Sequence, residues 1–315
     1  MKDDLKKTFI ITIDTEGDYI WNRKTWSRNS IKHRITVRNG AYLERFQRLC
    51  EKYDLKPTYL VDYEMTTSEP FVEMAKDGLK RGTLEIGMHM HGWTAPPYYE
   101  LKRGTKSGGN HPYIGEYPKD IMDEKVHLLT DKLTEVFEIN PKSHRSGRWY
   151  LDSRYIGILR KYGYTSDCSV TPGIDWRSNQ GLTDGSHGID YSKYPDFAYE
   201  MNLLRLGKKG KSGIMEVPVS TGRRDDGSLV QLRPFRHNIE DMLWLVRKRR
   251  EEGCDYLEFM LHSSELMRAG SPNFLTDSDI DVLYEDMERL FEEVSSDYKG
   301  ETLSDFVSRK MRGKE

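Results

Sequence analysis

The chain has 315 residues, of which 32% are charged, yet its formal net charge is only −2. A surface so balanced in sign offers no general field for nucleic acid or an anionic membrane, so recognition has to be local. Cys50, Cys168 and Cys254 are widely spaced and form no Cys-x-x-Cys, which fits buried thiols in a reducing compartment better than a disulfide framework.

Taken in chain order, the apolar periodicity predicts a strand at 8–14, a helix over about 40–54, a strand at 57–62, a helix at 69–81, a strand at 84–89 and a helix at 119–138. The series continues with a strand at 143–147, a helix at 152–162, a strand at 164–169, strands at 202–206 and 214–219, a helix at 237–252, a strand at 256–262 and a helix at 277–296. Strands alternating with crossover helices give an α/β fold, an open parallel sheet or a barrel. Segments 92–118 and 170–200 are rich in Gly, Pro and aromatic residues and read as loops over the strand ends. No repeat, low-complexity tract or linker marks a boundary, so one domain over 1–315 is expected. The charged start MKDDLKK is followed by too few apolar residues for a signal segment or a membrane span, so a cytoplasmic location is expected.

In such folds reactive groups collect at the C-terminal ends of strands. Asp14, Glu16, His89, His91, Arg145, Asp167 and His262 all stand at predicted strand ends. His89 and His91 in EIGMHMHGW are spaced i and i+2, so on a strand both imidazoles share a face while Met88 and Met90 take the other. Asp14 and Glu16 in TFIITIDTE repeat that spacing. Two imidazoles and a carboxylate are a common shell for a catalytic divalent metal, and a second carboxylate nearby can take a proton from water. Asp14 and Glu16 could divide those two roles. His262, ahead of Ser263 and Ser264, could act as a general acid, because an imidazole titrates near neutral pH. Arg145 in HRSGRWYLD could orient a carboxylate through a bidentate contact, with Arg148 competing for that role. Trp93, Trp149, Tyr150 and Trp176 border these motifs and could stack on sugar rings, although each alone is better explained by core or rim packing.

In order and spacing, TFIITIDTE, EIGMHMHGWTAPP, HRSGRWYLD, YTSDCSVTPGIDW and LHSSEL resemble the motif regions of the polysaccharide deacetylase family (NodB homology, carbohydrate esterase family 4), over about residues 8–295. The similarity is greatest to its branch associated with lipopolysaccharide and surface-glycan biosynthesis. The resemblance implies a distorted (β/α) barrel of about seven parallel strands. It also implies metal-dependent removal of an acetyl group from a sugar, with zinc the expected ion. By motif, Asp14 corresponds to the catalytic base, Glu16 to the acidic metal ligand, His89 to the first metal histidine, Arg145 to the residue orienting the base, Asp167 to a site-supporting position and His262 to the catalytic acid. Two departures stand out. The usual adjacent acid pair is spread to Asp-x-Glu, and the usual His-x-x-x-His is replaced by His-x-His, with Trp93 where the second histidine would stand. Strand geometry makes His91 the candidate second ligand. The expected substrate is an N-acetylated sugar, in nucleotide- or lipid-linked form; an amidase of non-sugar amides and an inactive glycan-binding relative are the alternatives.

Overall fold

The computed structural model describes residues 7–18 and 35–313, so the charged N-terminal residues 1–6 lie outside the description. Its strands are β1 (Lys7–Thr15), β2 (Pro57–Val61), β3 (Glu85–Met90), β4 (Ser143–Ser146), β5 (Ser166–Asp167), β6 (Tyr199–Asn202), β7 (Arg205–Lys209), β8 (Met215–Glu216), β9 (Thr221–Arg223), β10 (Leu229–Gln231), β11 (Tyr256–His262) and β12 (Tyr298–Gly300). The helices are α1 (Leu43–Lys52), α2 (Glu69–Arg81), α3 (Lys119–Phe137), α4 (Ser153–Lys161), α5 (Ile239–Glu251), α6 (Asp277–Ser295) and α7 (Leu303–Arg312).

Parallel pairing runs β11-β1-β2-β3-β4-β5-β8, and β12 adds in parallel beside the start of β1. The seven parallel strands match the expected distorted (β/α) barrel, here as a half-closed wall. The gap between β8 and β11 is bridged by single backbone bonds: Ser220 N–H donates to the Glu258 carbonyl at 3.2 Å and Met260 N–H to the Leu232 carbonyl at 3.1 Å. Ser220 and Leu232 flank the β9–β10 hairpin on either side, while Glu258 and Met260 lie in β11, so the hairpin straps the opening.

The strands are apolar on both faces because both faces are buried. On β1, Phe9, Ile11 and Ile13 pack with the helices, while Ile10 faces a separate interior cluster. That inner cluster joins Ile10, Leu60, Cys168, Met215, Val217 and Tyr256 to Leu303, Phe306 and Val307 of α7. Helix α7 thus plugs the N-terminal end of the barrel. Its first N–H groups are met from inside the barrel, Leu303 by Thr58 Oγ1 and Ser304 by Glu85 Oε2, both at 3.0 Å.

Several elements differ from the sequence expectation. The predicted strand at 202–206 is interrupted at 203–204, where the antiparallel β6–β7 hairpin turns. Asn202 Oδ1 accepts from the N–H groups of Leu204 and Arg205, an Asx turn that reverses the chain. The helix expected from residue 40 starts as a short 3-10 turn, Arg38–Tyr42, before α1. The β9–β10 hairpin, β12 and α7 have no counterpart among the expected elements.

Truncating the plug tests its weight. Phe306 is buried and its ring centroid lies 5.3 Å from that of Tyr256. Phe306→Ala is expected to lower the unfolding free energy by about 3–5 kcal/mol in urea titration.

Candidate metal centre and active site

Inward-facing residues stack in layers above the apolar plug. The middle layer is built around Arg145, whose side chain is fully buried. Its Nε donates to the Cys168 carbonyl (2.9 Å), Nη1 to Asp14 Oδ1 (2.8 Å), and Nη2 to both Thr12 Oγ1 and Glu258 Oε1 (2.7 Å each). Burial pushes the Asp14 carboxyl up, but Arg145, His89 and His262 outweigh it and hold it below the ordinary carboxylate range. Glu258, with less compensation, is raised by burial.

The top layer holds the metal-ligating types. Glu16, His89 and His91 are buried, and one ligand atom from each lies within 4.8 Å of the others. Glu16 Oε2 is 2.7 Å from His91 Nε2 and 3.3 Å from His89 Nε2, and the two Nε2 atoms are 3.0 Å apart. Two imidazole nitrogens and one carboxylate oxygen converging on one point are a donor set that suits a single divalent cation. His89 Nδ1 lies 3.1 Å from the Arg145 carbonyl, an arrangement that reserves Nε2 for the centre. Burial would raise the Glu16 carboxyl, but hydrogen bonds from His89 and His91 lower it strongly. Burial, with a contribution from the neighbouring His89, keeps His91 below the usual imidazole value, whereas Asp14 and Glu16 overcome burial and raise His89.

Across the pocket, His262 Nε2 faces Asp14 Oδ2 at 3.6 Å. Its other nitrogen, Nδ1, is 3.3 Å from Glu265 Oε2, which also accepts the His262 backbone N–H at 2.9 Å. Arg233 Nη2 donates to Glu265 Oε1 at 3.1 Å. Burial raises the Glu265 carboxyl, but Arg233 and His262 more than offset it and hold it at about 2.

The structure thus brings Asp14, Glu16, His89, His91, Arg145 and His262 together. Asp167 lies elsewhere. In register with His144, it points to the outer face of the sheet, where it meets His144 Nδ1 at 2.5 Å and Ser169 Oγ at 3.0 Å. Its neighbour Cys168 takes the inward face and supplies the carbonyl for Arg145. Arg148 does not compete for Asp14; it donates to the carbonyls of His111 and Gln180 and tethers two loops.

Trp149 lies beside the middle layer, its ring 5.0 Å from the Arg145 guanidinium carbon. Arg148 and Trp149 have φ of 57° and 60°, two consecutive left-handed non-glycine residues directly after β4. Trp93 leans on His91 and is stacked by His111, so part of its sugar-stacking surface is already covered. Tyr150 packs on Tyr113 with centroids 5.3 Å apart, and Trp176 donates to Thr171 Oγ1 at 2.8 Å; both support the loops.

Sequence reading missed Glu258, Glu265, Arg233 and His111. A lone acid inside the apolar run YLEFML was the one available signal, since a buried charge requires a partner. His111 is buried in the 92–118 loop and held down to about 3 by burial and by Arg148.

The Glu265 carboxyl has a testable pH signature. Its folded value is depressed, so its stabilisation is complete above the unfolded value near 4.5 and is lost as pH falls toward about 2. The stability advantage of the native chain over Glu265→Gln is expected to be constant above about pH 5 and to shrink by up to about 3 kcal/mol at lower pH in urea titrations.

Neither the protein-family models nor the curated proteins yield a match to this sequence. Solved structures do. A Mycobacterium smegmatis protein provisionally named a polysaccharide deacetylase aligns over 98% of this chain and 92% of its own, at 16% identity and a TM-score of 0.61. A Parabacteroides distasonis protein provisionally named a glycoside hydrolase/deacetylase aligns over 97% of this chain and 72% of its own, at 12% identity and a TM-score of 0.62. The 4-α-glucanotransferase of Thermococcus litoralis aligns over 96% of this chain but 38% of its own, at 12% identity and a TM-score of 0.51. At such identities the likeness is one of fold, and one fold can host different chemistries. The chain carries the fold of the polysaccharide deacetylases.

Proposed function

We propose that the chain is a polysaccharide deacetylase family member, a metal-dependent hydrolase that removes an acetyl group from an N-acetylated sugar. The observation that carries this reading is the juxtaposition of Glu16, His89 and His91 with an Asp14–His262 pair in one buried pocket. Glu16 Oε2 and the Nε2 atoms of His89 and His91 would hold the ion, with zinc the proposed choice. Such an ion supplies Lewis acidity, polarising the acetyl carbonyl and making water at the site a better nucleophile.

The remaining steps belong to the chain's own residues. Arg145 fixes Asp14 Oδ1, leaving Oδ2 directed toward His262 and available to accept the proton of the attacking water. His262 gives a proton to the departing sugar amine, so the products are acetate and the free amine. Glu265 and Arg233 hold the His262 ring from behind. Trp149, half-buried beside Arg145, offers an aromatic face for a sugar. We place the substrate among nucleotide- or lipid-linked glycan precursors of surface-polysaccharide synthesis, including lipopolysaccharide, in the cytoplasm. Among the described residues no helix is long and apolar enough to cross a membrane.

Acetate release from N-acetyl sugars, their nucleotide-linked forms and non-sugar acetamides tests the reading. The expected pattern is release from sugars alone, abolished by chelation and restored by a divalent ion. Asp14→Asn and His262→Ala should each lower kcat by about 100-fold or more with metal content retained. Glu16→Ala and His89→Ala should lose both metal and activity. Release from non-sugar amides alone would establish the amidase, and glycan binding without any release the inactive relative.

A further inference from the structure

We infer that Trp93 is a positioning residue for the second metal histidine, holding His91 by ring packing where a hydrogen bond would ordinarily do so; the inference rests on the metal reading above. A metal-bound imidazole usually donates its far N–H to an acceptor, which fixes the ring's rotation. His89 follows that rule through the Arg145 carbonyl. His91 does not. Its Nδ1 is buried and has no hydrogen-bond partner among the described residues.

What constrains the His91 ring is contact on its flanks. The indole of Trp93 lies 4.3 Å away, centroid to centroid, at an interplanar angle of 57°. Toward β4, a Cβ on Gly147 would lie 2.4 Å from His91 Nδ1, so the ring occupies the space that a side chain there would fill. The chain folds back directly after β3: the N–H groups of Thr94 and Ala95 both donate to the His91 carbonyl, at 3.2 and 3.1 Å. This tight reversal brings a residue two places on against its predecessor.

Trp93 is itself braced. His111 stacks on it at 4.6 Å and 17°, and the His111 carbonyl accepts from Arg148 Nη1. Arg148 Nη2 reaches the Gln180 carbonyl at 2.8 Å, so the ring stack is fastened to the second long loop. A flat face backed by a second ring resists tilting of His91 in a way that an aliphatic side chain of similar bulk does not.

The experiment is titration of the metal-stripped full-length chain with Co2+, by chelator competition and by the visible d–d bands, alongside thermal melts of the metal-free proteins. Trp93→Leu is expected to weaken Co2+ binding by about 10-fold or more and to alter the d–d bands, Trp93→Phe to stay within about threefold of the native chain, and His111→Leu to fall between them. Co2+ affinity and bands unchanged in Trp93→Leu would overturn the inference and leave the metal reading standing. A native chain that takes up no Co2+ would overturn both. Should Trp93→Leu fail to fold, His111→Leu decides: native affinity there overturns the inference, and a loss that Trp93→Phe does not share supports it.

Discussion

A single buried guanidinium, that of Arg145, is the constraint on which the rest of the site depends. Removing such a charge from water costs several kcal/mol, which is recovered only if its donors meet acceptors in good geometry. Here the acceptors come from β1, from β11 and from the residue after β5, so the guanidinium is satisfied only when those strands hold their observed register. The same residue serves both halves of the pocket. Its side chain pins Asp14, and its main-chain carbonyl orients His89. In the proposed reaction, proton acceptor and metal ligand are therefore set by one strand position.

Strand parity explains which parts of the site were legible in the sequence. Asp-x-Glu and His-x-His are local statements, and a period of two converts them into shared faces without any tertiary knowledge. Asp167 is the exception, because its own segment does not set its parity. Strand β5 has only two laddered residues, Ser166 and Asp167, so its register, which sends Cys168 inward and Asp167 outward, comes from its neighbours and not from its own pattern. Glu258 and Arg233 stayed hidden because each is explained by a partner far along the chain, Arg145 for one and Glu265 for the other.

The fold divides along similar lines. Parallel strands buried on both faces write continuous apolar runs, which is why β1, β2, β3 and β11 could be read with small errors at their ends. The β6–β7 and β9–β10 hairpins and helix α7 write no such runs. Arg205–Lys209 is mostly polar and only partly buried, and α7 turns just Leu303, Phe306 and Val307 inward. Their stability comes from what they cover, and that is a property of the assembled sheet and its helices rather than of the segment.

Charge balance ties these observations to the proposed ion. Asp14, Glu16 and Glu258 are buried around one guanidinium, a surplus of carboxylates that low-dielectric surroundings make costly. Proteins relieve such a surplus by protonation or by a cation, and this molecule supplies an internal comparison. Beside the pocket, Asp62 accepts the Gly17 N–H, and Glu64, whose side chain meets Asp62 and Thr94, is pushed up to about 6 by burial, with Asp62 raised well above the carboxylate range. For that pair burial is the largest influence, and it favours the protonated form. Glu16 is driven the opposite way by the two histidines that face it, and remains a carboxylate. A carboxylate kept ionised in a buried site, with two imidazole nitrogens converging on the same point, is the electrostatic state that a divalent cation completes.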